Sequence, residues 1–192
     1  MSNRIRIIAG LGNPEAKYER TLHNAGFWFV DALADKYGGD FRLDKKFGAE
    51  YCRINLHGDD VWLVKPQNYM NMSGGPVRAV LDYYRLRVGD LLVAHDEIDL
   101  PPGTVRIKDA GGHGGHNGIR DVIQHCGAEF LRLRIGVGHP GEKSKVTSYV
   151  LKPGSSEVES AVENSITEAV EVMPLLLDQG LSAAQKALHT RD

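Results

Sequence analysis

The sequence predicts an α/β fold: one domain built on a twisted, mixed and mainly parallel sheet flanked by helices. Three observations carry this. Short β-rich apolar runs alternate with stretches of helical periodicity, as in strand–helix–strand units. Residues 91–94, Leu-Leu-Val-Ala, are wholly apolar, as expected of a strand covered on both faces. The 192 residues are 42% hydrophobic and 25% charged and contain no repeat or low-complexity linker, which suits a single well-cored domain over residues 1–192.

Residues 4–10 form a β-rich run that ends in Gly-Leu-Gly-Asn-Pro, a strand followed by a tight turn. Asn24 is placed to cap a helix whose apolar positions Phe27, Val30, Leu33, Ala34 and Tyr37 recur at helical spacing, with Gly38 closing it. Residues 50–56 and 61–64 read as a hairpin across His57-Gly58-Asp59-Asp60. Ser73 is the expected N-cap of a helix running to about Leu86, with Pro76 in the tolerated first turn. Beyond the strand at 91–94, residues 104–108 alternate as another strand, and the segment 111–118 leads into a helix at 119–126. Residues 131–137 alternate leucine with arginine and then turn apolar, a strand with one face at a polar site. Val158, Val162, Ile166, Val170 and Met173 line a helix that Pro174 should kink or end, and residues 182–188 form a last helix after Gly180. Sites in such sheets gather at the carboxyl ends of strands, where the polar loops after Gly10, Val64, Ala94 and Lys108 are expected to start.

No apolar stretch is long enough to span a bilayer, and residues 1–6 lead straight into a strand without a signal-peptide core. Cys52 and Cys126 lie far apart without metal-like spacing, so a reduced, cytoplasmic compartment is expected. The net charge of −2 hides a gradient: residues 104–152 carry eight basic and four acidic groups, whereas residues 153–192 carry two basic and seven acidic ones. The basic stretch is a modest footprint for phosphate; a solvated surface of uneven charge is the plainer alternative.

Residues 111–118, Gly-Gly-His-Gly-Gly-His-Asn-Gly, mark a site, because glycine buries no side chain and serves where backbone takes unusual angles or approaches a ligand. Gly10-Leu11-Gly12 is not a dinucleotide fingerprint: the third glycine position holds Glu15, and Pro14 interrupts the turn. Asn13 is then either an Asn–Pro turn residue or an amide presented at a strand tip. His23, at a helix entry, is either structural or a general base, which a helix N-terminus would keep neutral. Asp96 follows a buried strand and is suited to hold an imidazole in one tautomer, while Asp99 fits a solvated turn better. Asn71 and Asn117 are further amides near helix starts. His23, His95, Asp96, His113 and His116 could ligate a metal, but no HExxH helix or cysteine pairs accompany them, so no metal is expected. No G-x-S-x-G is present, and neither cysteine sits in a nucleophile motif. One histidine, one aspartate and several amides without a nucleophilic side chain point to water as nucleophile. With a basic segment beside them, an ester between an acyl group and a nucleic-acid hydroxyl fits the set.

Seven separated motifs in this order resemble the bacterial peptidyl-tRNA hydrolase family over nearly the whole chain: Gly-Leu-Gly-Asn-Pro (10–14), Tyr18, His-Asn-Ala-Gly (23–26), Tyr-Met-Asn-Met-Ser-Gly (69–74), His-Asp-Glu-Ile-Asp-Leu-Pro-Pro-Gly (95–103), the glycine segment (111–118) and Arg-Leu-Arg-Ile-Gly (132–136). The resemblance implies hydrolysis of the ester joining a peptide to the tRNA 3′ end, with His23 as general base and Asp96 as its partner. It implies that Asn13 reads the peptide carbonyl and separates blocked from free aminoacyl-tRNA. It places Asn71 and Asn117 on substrate or water, with Tyr18 and Tyr69 beside them. It also implies no cofactor, no metal and a monomer. Arg106, Lys108, Arg134, Lys143 and Lys145 are then candidates for the acceptor-stem phosphates, read without regard to base sequence. The loop histidines receive no role. A tRNA-binding module without catalysis and a metal-dependent hydrolase are the alternatives. Leu22, where a basic residue is common, and Asp109, beside Lys108, depart from the family pattern and are expected to weaken tRNA backbone contacts.

Overall fold

The computed structural model describes residues 4–189; residues 1–3, part of the start where no signal peptide is expected, and residues 190–192 lie outside that range. The elements are β1 (Ile7–Gly10), α1 (Ala25–Tyr37), β2 (Arg42–Asp44), β3 (Ala49–Leu56), β4 (Asp59–Pro66), α2 (Gly74–Tyr83), β5 (Leu91–Glu97), β6 (Val105–Asp109), α3 (Asn117–Cys126), β7 (Leu131–Gly136), α4 (Val146–Val150), α5 (Ser156–Gln179) and α6 (Leu181–His189). They form a single α/β domain on one seven-stranded sheet ordered β2-β3-β4-β1-β5-β7-β6. The parallel core is β4-β1-β5-β7, and β2, β3 and β6 extend it antiparallel at the two flanks.

The period of two in the strands divides the core. Ile8, Leu63, Leu92, Ala94 and Leu133 face Phe29, Val30 and Leu33 of α1 and Val162, Ile166 and Met173 of α5. Ile7, Ala9, Val64, Leu91 and Val93 face the opposite layer, Val77 and Val80 of α2 with Ile119 and Val122 of α3. Helices therefore cover both faces of the central strands, which is why those strands read as apolar runs.

The structure corrects the sequence at several points. Strand β5 does not stop at Ala94: His95, Asp96 and Glu97 pair with Arg134, Ile135 and Gly136 of β7. Their polarity suggests a loop, but the rungs of a sheet hold them. Helix α5 runs through Pro174, because Leu176 and Leu177 beyond it still pack on the core. Fully burying a leucine stabilises by ~1.5–3 kcal/mol, so Leu176, with a part contribution from the half-buried Leu177, goes far to offset the ~3 kcal/mol that an interior proline costs. Strand β2 and helix α4, too short for a periodic signal, are not visible in the sequence.

Strand β6 runs antiparallel to β7, so its end, Lys108 and Asp109, pairs with Arg132 and Leu131 at the far end of the sheet from Asp96. The loop after Lys108 thus does not start at the site end. The glycine segment travels back along the sheet to reach it. Its first turn is fastened by Ala110 N–H donating to Phe130 O and by Arg132 Nη2 donating to Gly111 O at 2.6 Å. Among the described residues no helix is long and apolar enough to cross a membrane.

Candidate active site

Three neighbouring strands, β4, β1 and β5, end side by side, and the loops beyond β1 and β4 bring Asn13 and the Tyr69–Asn71 segment toward Asp96. His23 arrives from the single helical turn at Leu22–Asn24 that precedes α1. Two glycines make this approach possible. A Cβ on Gly26 would lie 2.4 Å from Ala94 O, and one on Gly10 would lie 2.2 Å from Gly26 O, so α1 could not seat on β1 and β5 with any side chain there. The glycines of the first motif serve packing rather than phosphate.

Asp96, 4% exposed, is the hub. His23 Nδ1 lies 2.9 Å from both of its carboxylate oxygens, and His116 Nε2 lies 2.8 Å from one of them. His116 is the residue that the sequence reading weighed only as a metal ligand and then left without a role. Its Nδ1 accepts from the backbone N–H groups of Gly118 and Ile119 at 3.1 and 3.2 Å, making it the N-cap of α3. With Nδ1 occupied as an acceptor, the ring carries its proton on Nε2 and donates it to Asp96. A histidine immediately before a helix start, where an acceptor side chain is favoured, was the available signal. Asn117 is the first helical residue of α3 and keeps its side chain for the cavity.

His23 therefore donates Nδ1–H to Asp96 and leaves the Nε2 lone pair toward the cavity it lines. Burial works against a charged imidazole, but the charge and the hydrogen bond of Asp96 outweigh it, and the pKa of His23 is raised. The helix N-terminus does not set the direction of this shift, contrary to the sequence-based expectation. Burial likewise opposes ionisation of Asp96, yet the two imidazoles hold its carboxyl far below the usual carboxylate range. His95 is buried behind them, bonded through Nδ1 to Asp96 O, and its pKa falls to about 4 because burial disfavours its charged form.

Asn13 is 7% exposed and firmly held. Its backbone N–H donates to Asn24 Oδ1 at 2.8 Å, its carbonyl accepts from Asn24 Nδ2 at 3.0 Å, and its own Oδ1 accepts from Met70 N–H at 2.8 Å. Asn24 thus clamps Asn13 rather than capping α1. Since Oδ1 must face the Met70 donor, the Nδ2 donor is what Asn13 offers to the cavity. Ser73 is also not a cap: its hydroxyl donates to Met70 O, and Asp121 of α3 accepts from Gly74 N–H at the start of α2.

Asn13, His23, Asp96 and His116 line one cavity of about 620 Å³, together with Tyr69, Asn71, Asn117 and Lys143. Gly114 and Gly115 form part of its wall, both with positive φ (57° and 82°) and with open space where a Cβ would stand. Tyr18 is not on the lining; its ring sits under Lys17 Nζ at 5.0 Å. Arg134 reaches the site end but donates to Glu97 at 2.9 Å, and Arg106 opposes it in register. Lys108 is exposed at the far end of the sheet. Arg132, counted in the basic footprint, is 2% exposed, bonded to backbone carbonyls and stacked 4.0 Å from the Phe130 ring centroid. Leu22 is fully buried in the core, so no phosphate contact is lost through it.

Comparison with known proteins bears directly on this arrangement. The family model described as peptidyl-tRNA hydrolase matches residues 7–192. The chain belongs to the peptidyl-tRNA hydrolase family. Peptidyl-tRNA hydrolase from Nitrosospira multiformis is 46% identical over 188 residues, covering 97% of this chain and 98% of that protein. That from Neisseria meningitidis serogroup A is 42% identical over 192 residues and the whole of both chains. The crystal structure of peptidyl-tRNA hydrolase from Acinetobacter baumannii, 46% identical, superposes with a TM-score of 0.94 over 98% of this chain and 95% of that one. A 5′-methylthioadenosine nucleosidase from Arabidopsis thaliana, 9% identical with a TM-score of 0.52, shares the fold alone. As a peptidyl-tRNA hydrolase family member the chain is an ester hydrolase, and its His23–Asp96–His116 cluster is consistent with a catalytic histidine and aspartate.

Proposed function

We propose that His23 is the general base that activates water against the ester carbonyl of peptidyl-tRNA, with Asp96 as its partner. The observation that carries this is the one-sided imidazole: Nδ1 is committed to Asp96, and Nε2 faces the cavity. His23 Nε2 takes one proton as the water oxygen bonds to the carbonyl carbon. Asn13 Nδ2 donates to the carbonyl oxygen as it becomes an oxyanion. The imidazolium, stabilised by Asp96, returns the proton to the ribose oxygen as the ester bond breaks, leaving a tRNA hydroxyl and a peptide carboxylic acid that loses its remaining water-derived proton to solvent. His116 acts through Asp96, as a positioning residue.

Asn71, Asn117 and Tyr69 hold the tRNA 3′ end, with Tyr18 nearby. Lys143, on the cavity wall, and Arg106, Lys108, Arg134 and Lys145 supply positive charge to the acceptor stem. The Glu97 carboxylate offsets part of the charge of Arg134. The enzyme works as a monomer in the cytoplasm and uses no metal. The side chains of His23, Asp96 and His116 bring ligand atoms within 4.8 Å of one another, and hydrogen bonding alone accounts for that convergence.

Incubation with N-blocked and free aminoacyl-tRNA, following ester release from each, tests the reading. Selective cleavage of the blocked form is expected, and His23→Ala should lose at least ~10²-fold in rate with its fold intact. Full activity in that variant would remove His23 from the base role.

A further inference from the structure

Two chain segments meet at the cavity mouth and are tied to each other twice. One tie is the Met70 N–H donated to Asn13 Oδ1. The other is the Tyr69 phenol O–H donated to the Glu15 carboxylate, which Lys17 Nζ also faces at 3.6 Å. The ring of Tyr69 lies on the cavity rim and is 54% exposed. Glu15 belongs to a smaller cleft of about 240 Å³ that shares Asn13 with the main cavity, so the bond stands on the partition between the two. Nothing in the ester chemistry uses Glu15. A carboxylate at the mouth of a site for a polyanion repels it, so its presence there calls for a compensating role.

We propose that Glu15 is a positioning residue for substrate binding: by accepting the phenol hydrogen it holds the Tyr69 ring on the cavity rim, where the ring meets the 3′-terminal nucleotide. This rests on the esterase reading of the site. An exposed tyrosine without that anchor samples several rotamers, and ordering it would be charged against binding. The Tyr69 bond and Lys17 hold the Glu15 carboxyl below its usual range, so the acceptor is in place at neutral pH. Asn13 is clamped separately by Asn24 and Met70, and His23 by Asp96, so the reacting geometry does not depend on Glu15. Its effect therefore falls on binding.

The brace and the charge of Glu15 act with opposite sign, which makes them separable. Glu15→Gln keeps a carbonyl acceptor and removes the charge, whereas Glu15→Ala removes both. Steady-state kinetics on N-acetyl-aminoacyl-tRNA would compare these variants with Tyr69→Phe and with the Glu15→Ala/Tyr69→Phe pair. Glu15→Ala and Tyr69→Phe are each expected to raise KM about three- to tenfold, the range for one lost hydrogen bond, with kcat within about twofold. The pair should be no worse than either single variant, because both break the same bond. Glu15→Gln should restore KM to within about twofold of the parent. Additive effects, a loss confined to kcat, or a KM lowered by Glu15→Ala would each overturn the brace. Substrate binding by fluorescence anisotropy in a His23→Ala background repeats the comparison without turnover. Glu15→Ala should weaken it by the same factor, and unchanged binding would refute the proposal. This arm does not depend on cleavage, so failure of the esterase reading would be recognised separately.

Discussion

Asp96→Asn preserves the shape of the hub and changes its hydrogen-bond grammar. The carboxylate accepts from two imidazole N–H groups, at 2.9 Å from His23 and 2.8 Å from His116. An amide accepts at one atom and donates at the other, so one imidazole must shift its proton. His116 resists, because Gly118 and Ile119 N–H already point at its Nδ1. His23 is therefore the ring that changes, moving its proton to Nε2 and losing the lone pair that faces the cavity. The matching Asp→Asn change in a serine-protease triad costs ~10⁴ in kcat through the same wrong tautomer. A loss of about 10³- to 10⁴-fold is expected here, ~4–5 kcal/mol on the barrier. Single-turnover release of the blocked amino acid from tRNA measures it. The pH profile supplies a second reading. In the parent, activity is expected to rise as His23 deprotonates, with Asp96 shifting that limb upward from the ordinary histidine value. Without the carboxylate only burial remains, which favours the neutral ring, so the residual limb moves to lower pH. A kcat within about tenfold of the parent, or a limb that does not move down, would refute the account of Asp96.

Gly26→Ala places a methyl 2.4 Å from Ala94 O, an overlap with backbone that no rotamer relieves. It should cost ~1–3 kcal/mol or more, several degrees in Tm, and a melt within about 1 °C of the parent would contradict the packing described. Lys143→Ala removes a cation from the cavity wall; affinity for tRNA should fall and the slope of log K against log salt should flatten by about one unit. An unchanged slope would exclude Lys143 from phosphate contact. Turnover should survive EDTA treatment of metal-free enzyme, and loss of activity restored by zinc would convert the His23–Asp96–His116 cluster into a metal centre.

Much of the fold was legible because it is written in local pattern. The alternating cores of β1, β4 and β5, the left-handed Gly38 closing α1 and the hairpin turn expected within residues 57–60 are decided by neighbours in the chain. That turn tightens to His57-Gly58 because Asp59 and Asp60 join β4. What misled was polarity without its partners. His95–Glu97 read as loop because their strand pairing with β7 is non-local. Asn24 and Ser73 read as caps because that is what such residues do when nothing else claims them. Here Asn24 clamps Asn13, Ser73 turns to Met70, and Asp121 caps α2 from another helix.

The site divides along the same line. The sequence by itself determined the α/β class and, through motif order, the family, and it singled out His23, Asp96 and Asn13 as candidates for ester chemistry, since residue types and motif order survive without coordinates. Only the tertiary structure decided how they are wired. It recruited His116 from the glycine segment as the second donor to Asp96 and raised the pKa of His23 where the helix end suggested otherwise. It also buried Arg132 as a fastening for that segment. Proton position and pKa depend on distances of about 3 Å between residues far apart in sequence. No linear pattern encodes them; the fold does.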